Sequence, residues 1–186
     1  GSNNGLLLDN IMTLPTNYCQ DLKAADLNND KQIDLVVANS GDYNNSSTNS
    51  TIYWGTDNSF SQNQKTDLPS LGATTVSIAD LNKDNILDIL IGNSRNSFGN
   101  DVPSYIYWGR NSGFASHRRS ELTGFGTISS GIADLNQDKN PDILLVSHLS
   151  GKSGVLPSVV YWGTSDHYYS KAASSELDLG AYMEFS

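Results

Sequence analysis

Short apolar runs alternate with polar, turn-rich stretches along the whole chain, and no stretch carries a 3.6-residue apolar period. In the middle of the chain this pattern predicts four strands, at 75–80, 87–93, 104–109 and within 114–122, separated by Gly-, Asn-, Asp-, Ser- and Pro-rich junctions. The second strand narrows the choice of fold. "DLVVA", "DILIG" and "DILLV", at 34–38, 88–92 and 142–146, are apolar at successive rather than alternate positions, so both faces must be covered. The pattern therefore predicts an all-β chain of four-stranded antiparallel sheets stacked face to face, as the blades of a β-propeller are.

The strands recur with a fixed period. "ADLNNDKQIDLVV" (25–37), "ADLNKDNILDILI" (79–91) and "ADLNQDKNPDILLV" (133–146) lie 54 residues apart, and so do Trp54, Trp108 and Trp162 of the following "YWG" strands. Two independent landmarks in one frame define three full repeats, at approximately 22–75, 76–129 and 130–183, within a single segment 1–186. An extra strand of the fourth type is expected at 6–12. Closed propellers need roughly four to eight blades. Three repeats therefore predict an open arc of a longer array, or self-association through the exposed end blades.

Charge follows the same repeat. The net charge is −9, and nine aspartates sit in the repeated loops, while the other 11 acids balance the 11 Lys and Arg. An acidic surface argues against nucleic acid and anionic membranes as partners. No apolar run is long enough for membrane insertion. The single Cys19 excludes an internal disulfide framework. Ala73 and Thr127 hold its place in the other repeats, so a small packed residue is expected there.

Each loop offers oxygen at odd positions. Asp26, Asn28, Asp30 and Asp34 present side-chain oxygens at positions 1, 3, 5 and 9, and Gln32 at position 7 presents a backbone carbonyl. Asp80, Asn82, Asp84, Ile86 and Asp88 repeat the arrangement, as do Asp134, Asn136, Asp138, Asn140 and Asp142. Such a set suits a hard dication with six to eight oxygens, and an all-protein, irregular cage favours Ca2+ over magnesium. Zinc or copper would ask for His or Cys, which the loops lack. An EF-hand fails because position 12 is Val37, Ile91 or Leu145. Position 6, usually Gly for a left-handed turn, is Lys31, Asn85 or Lys139, which predicts weaker first and third sites. The alternative is a set of Asx-turns whose carboxylates cap backbone amides without metal.

These loops, the apolar strands after them and the aromatic "YWG" strand resemble the FG-GAP/VCBS family of propeller repeats, also found in integrin α-subunit heads. The resemblance spans the chain. It implies up to three calcium ions, one in each hairpin joining the first two strands of a blade. It also implies an exported or cell-surface protein acting in adhesion.

No catalytic constellation is present: no H-E-x-x-H, G-x-S-x-G or phosphate-cradling glycine loop occurs, and His117, His148 and His167 do not recur between repeats. A non-enzymatic protein is expected. The alternatives are part of a secreted polysaccharide-active or other hydrolytic enzyme, or an architectural spacer. The three tryptophans read as packing between blades, and the "RR" at 118–119 as a solvated strand edge. Loops 40–50, 94–104 and 147–158 differ sharply between repeats, and antiparallel topology puts them opposite the carboxylate loops. That face, with Tyr43 and Phe98, is where a carbohydrate or protein ligand is expected.

Overall fold

The computed structural model describes residues 12–42, 45–57, 59–147, 157–166 and 168–177. Among the described residues twelve strands fall into three sheets. The first blade holds β1 (Cys19–Ala25), β2 (Asp34–Asn39), β3 (Asn49–Thr56) and β4 (Ser59–Pro69). The second holds β5 (Ala73–Ala79), β6 (Asp88–Asn93), β7 (Ser104–Tyr107) and β8 (Arg119–Leu122). The third holds β9 (Thr127–Ala133), β10 (Asp142–Ser147), β11 (Ser158–Tyr161) and β12 (Ser174–Leu177). Every sheet is an antiparallel meander in chain order. A 3-10 turn at Lys171–Ala173 is the helical element among the described residues. Residues 6–11 of the expected strand 6–12, and Tyr43, lie outside the described residues, and Met12 is not in a strand.

The three sheets stack as an open, propeller-like array with the first strands β1, β5 and β9 adjacent. The doubly apolar second strand has the environment its sequence requires. Ile89 and Ile91 enter the core shared with the first blade, and Leu90 enters the core shared with the third. Across the inner strands the contacts are polar: Thr75 Oγ1 lies 3.0 Å from Ser130 Oγ, Ser77 Oγ 2.8 Å from it, and Asp21 accepts the Val76 N–H at 3.0 Å. Farther out, the Tyr107 hydroxyl donates to the carbonyl of Pro69 and the Tyr161 hydroxyl to that of Thr123, tying the second and third blades to the end of the blade before. Trp54 packs at 6.5 Å from Phe114 of the next blade and Trp108 packs on the core shared with the third, so these two tryptophans mediate blade packing. The fourth strand of the second blade is shorter than the sequence pattern implies, because a turn closed by Arg118 N–H to Ala115 C=O occupies 115–118.

Equivalent positions show what stacking covers. Val76 is 0% exposed against the first blade, and its counterpart Leu22 is 46% exposed. Leu27 and Leu81 are 2% and 0% exposed, and Leu135 of the third blade is 50% exposed. Cys19 corrects the sequence reading for the same reason: Ala73 packs on the first blade, whereas Cys19 points where no described blade stands and is exposed. The sulfur merely approaches the Asp21 carbonyl at 3.6 Å.

Candidate functional site

Each carboxylate loop is the hairpin between the first two strands of its blade, and the three share one hydrogen-bond network. Asp26 Oδ1 accepts the Asp30 N–H at 3.1 Å and its Oδ2 the Lys31 N–H at 2.8 Å. Asn28 Oδ1 accepts the Asp30 N–H at 3.1 Å, and Asp30 Oδ1 accepts the Gln32 N–H at 2.8 Å. Asp80, Asn82 and Asp84 repeat these bonds, as do Asp134, Asn136 and Asp138. The short side chains fold back onto amides that no ladder partner reaches. Positions 4 and 6 take the left-handed conformation: Asn29, Lys83 and Gln137 at φ 59°, 58° and 65°, Lys31, Asn85 and Lys139 at 71°, 66° and 71°. Without glycine each such residue costs about 1–2 kcal/mol, less for Asn.

The ninth aspartate has a different role. Asp34, Asp88 and Asp142 are fully buried, unlike the exposed Asp30, Asp84 and Asp138. Asp88 Oδ2 accepts the Leu81 N–H at 3.0 Å and its Oδ1 the Gly109 N–H at 2.8 Å. Asp34 does the same with Leu27 and Gly55, and Asp142 with Leu135 and Gly163. The carboxylate locks the start of its hairpin to the third strand. Gly55, Gly109 and Gly163 must lack a side chain, because a Cβ on each would lie 2.2 Å from the carbonyl of Ile33, Leu87 or Pro141. The two landmarks that shared a 54-residue frame are thus bonded to each other. Sequence reasoning missed this role, although the invariable glycine of "YWG" signalled it. Burial pushes the Asp88 carboxyl up to about 6 against the two amides that favour its ionised form. Burial also raises Asp34, with the Gly55 and Leu27 amides opposing it.

The donor chemistry of the loops, all oxygen, fits a hard dication. The arrangement does not yet form a metal cage: among the described residues no three His, Cys, Asp or Glu side chains converge. In this conformation the network closes on its own amides. The third loop also receives an ammonium, since Lys83 Nζ donates to Asn140 Oδ1 at 2.6 Å. The Asn140 N–H does most to hold the Asp138 carboxyl below its usual range, with Asn136, the Asn140 side chain and Lys83 adding to it.

The variable loops emerge at the opposite end, as the topology requires. Ser94 N–H donates to the Gly72 carbonyl there, and Gly126 N–H to that of Asn100. Phe98 is 96% exposed on a turn closed between Asn96 and Gly99. Loop residues 43–44 and 148–156 lie outside the described residues.

Residues 13–91 match the family model of the FG-GAP-like repeat. This span holds the first two carboxylate loops, and the third follows in the same frame. The resemblance read from the sequence is borne out over that span. Matched repeat and stacked sheets together define a β-propeller-like domain. Repeats of this type are generally non-catalytic and typically occur in extracellular proteins. No curated protein matches the chain. Among the described residues no helix is long and apolar enough to cross a membrane.

Proposed function

We propose that the chain is a non-enzymatic, calcium-binding propeller segment of an exported or cell-surface protein that presents a ligand-binding loop face for adhesion. The observation that carries this reading is the threefold recurrence of one all-oxygen loop, with its left-handed turns in place and the acidic excess of the chain concentrated in it. The residues that would hold the ion are Asp26, Asn28, Asp30 and Asp34 with the carbonyl of residue 32, and their counterparts in the other blades. Each carboxylate oxygen that accepts one N–H keeps a second lone pair for a cation. A calcium titration by calorimetry is expected to show saturable uptake at up to three sites, and its absence at millimolar calcium returns the loops to plain Asx-turns.

The ligand, a carbohydrate or a protein, is placed on the face of loops 40–50, 94–104 and 147–158, with Phe98 and Tyr43 as contacts. A glycan array with and without calcium tests that assignment. Phe98→Ala is expected to weaken retention by several-fold without lowering the melting temperature, since an exposed ring contributes little to the fold. Loss of retention only on substitution at the carboxylate-loop end would reverse the faces.

The end blades are expected to associate. Leu22 and Leu135 leave half of a core-type side chain in water, where full burial is worth about 1.5–3 kcal/mol. Sedimentation is expected to show concentration-dependent association, reduced in the Leu22→Ser, Leu135→Ser double variant. A monomer at high concentration refutes it.

A further inference from the structure

A cleft of about 530 Å³ opens beside the middle carboxylate loop, and its chemistry differs from that of the acidic chain around it. One wall is basic: Arg110, His117 and Arg118, all from the turn between β7 and β8. Trp108 forms part of the floor, half-buried, its Nε1 donating to Ser120 Oγ at 2.9 Å. The other wall carries Asn82, Asp84 of the loop, and Asp166 of the third blade. The volume lies within the 300–1,000 Å³ usual for small-molecule sites.

The "RR" doublet does not behave as one solvated edge. Arg119 is spent on the fold: its guanidinium lies 4.0 Å from the Tyr105 ring centroid, donates to the Tyr107 hydroxyl at 3.3 Å and pairs with Glu121 at 3.5 Å. Arg118 is only partly used. Its Nη2 donates to the Gly113 carbonyl, while its Nε is shut from solvent with no acceptor among the described residues. That enclosed Nε fixes the guanidinium against the turn and is not itself offered to the cleft. The turn behind it is tightly held, with Gly113 at φ 82° donating to the Arg110 carbonyl at 2.7 Å. Repeat maintenance does not account for the cluster. At the positions of Arg110, His117 and Arg118 the first blade carries Thr56, Asn63 and Gln64, and the third Thr164, Lys171 and Ala172.

We propose that this cleft binds a carboxylate-bearing saccharide of the uronate type. The exposed Arg110 can take a planar carboxylate with paired N–H donors, and Arg118, whose Nη2 is engaged and whose Nε is enclosed, adds a second cationic charge beside it. Asp166 and Asn82 across the cleft accept hydroxyl protons, and the exposed part of Trp108 meets the apolar C–H side of a sugar ring. The acidic wall discriminates against ligands that are anionic throughout, such as an acidic peptide or an inorganic oxyanion. The site lies at the end opposite Phe98, apart from the loop face; it shares Asn82 and Asp84 with the middle carboxylate loop, but its cationic groups belong to the chain, and it is therefore tested with calcium removed.

The test is calorimetric titration with trigalacturonate in chelator, beside neutral galactotriose, sulfate and a hexaglutamate peptide. Saturable binding of trigalacturonate alone is expected. Arg118→Gln is expected to weaken it about tenfold or more, as loss of a charge-assisted contact does, and Arg110→Gln by several-fold. Lys65→Gln in the first blade makes the same charge change away from the cleft and is expected to leave binding unaltered. Should Arg118→Gln lower the melting temperature, the exposed Arg110→Gln decides. The proposal is overturned by no saturable binding, by equal binding of galactotriose, sulfate or hexaglutamate, by binding that appears only on adding calcium, or by equal loss in Lys65→Gln.

Discussion

Replacing Asp88 by alanine is expected to be the most damaging single substitution at the loops. It strands the Leu81 and Gly109 amides in a fully buried setting, where each unmet donor costs about 1–3 kcal/mol. The sum, about 2–6 kcal/mol, is a large part of a total stability of roughly 5–15 kcal/mol. Asp84→Ala, at an exposed position of the same loop, is expected to cost within about 1 kcal/mol in chelator. Denaturant unfolding of the two variants in metal-free buffer compares them directly. Equal losses would refute the lock. Gly109→Ala attacks the contact from the other side, driving a methyl against the Leu87 carbonyl. The expected result is again a strongly destabilised second blade.

The same residue gives a pH test. Burial raises the folded Asp88 carboxyl to about 6, against about 3.9 in an unfolded chain. Between these values the folded state binds more protons than the unfolded one, so this group makes stability fall as pH rises from about 4 to about 6, with no further change above. Asp88→Asn keeps a polar side chain in place and removes the titration. The wild type in chelator is therefore expected to lose stability relative to Asp88→Asn across that window. Parallel pH profiles would show burial and the two amides in balance, and a wild type that gains stability as pH rises would show that the amides govern the carboxyl.

Calcium is expected to have the second large effect. Extracellular modules bind calcium at about 10⁻⁴ to 10⁻³ M, so millimolar calcium adds on the order of 1–2 kcal/mol for each site at the tighter end. Three sites would offset six of the nine excess negative charges. Chelation is expected to lower the melting temperature and added calcium to restore it, with magnesium a poor substitute. The middle site is expected to release its ion last. Asn85 tolerates its left-handed conformation better than Lys31 or Lys139, and the third loop already faces the Lys83 ammonium. Lys83→Met is expected to tighten the third site selectively. A melting temperature indifferent to chelator and to millimolar calcium would leave the amide network as the whole explanation of the loops.

Much of the fold was legible because the repeat writes it three times. The doubly apolar "DILIG" strand required a neighbour on each face, and Ile89, Leu90 and Ile91 have them. The hairpin position of the carboxylate loops and the left-handed sixth position also followed from local pattern, since turns and strand faces are set by residues close in sequence. What only the tertiary structure decided depends on residues far apart in the chain. The ninth aspartate looked like a fourth oxygen donor, and its commitment to a glycine amide 21 positions away appears only when the third strand lies beside the hairpin. The fate of Cys19, Leu22 and Leu135 depended on whether a blade stands next to them, which identical repeat positions cannot reveal. The doublet at 118–119 was divided by strand alternation and a tight turn, sending Arg119 onto Tyr105 and leaving Arg118 in a cleft completed by the neighbouring blade. Sequence pattern fixes which face a side chain takes, and packing decides what that face meets.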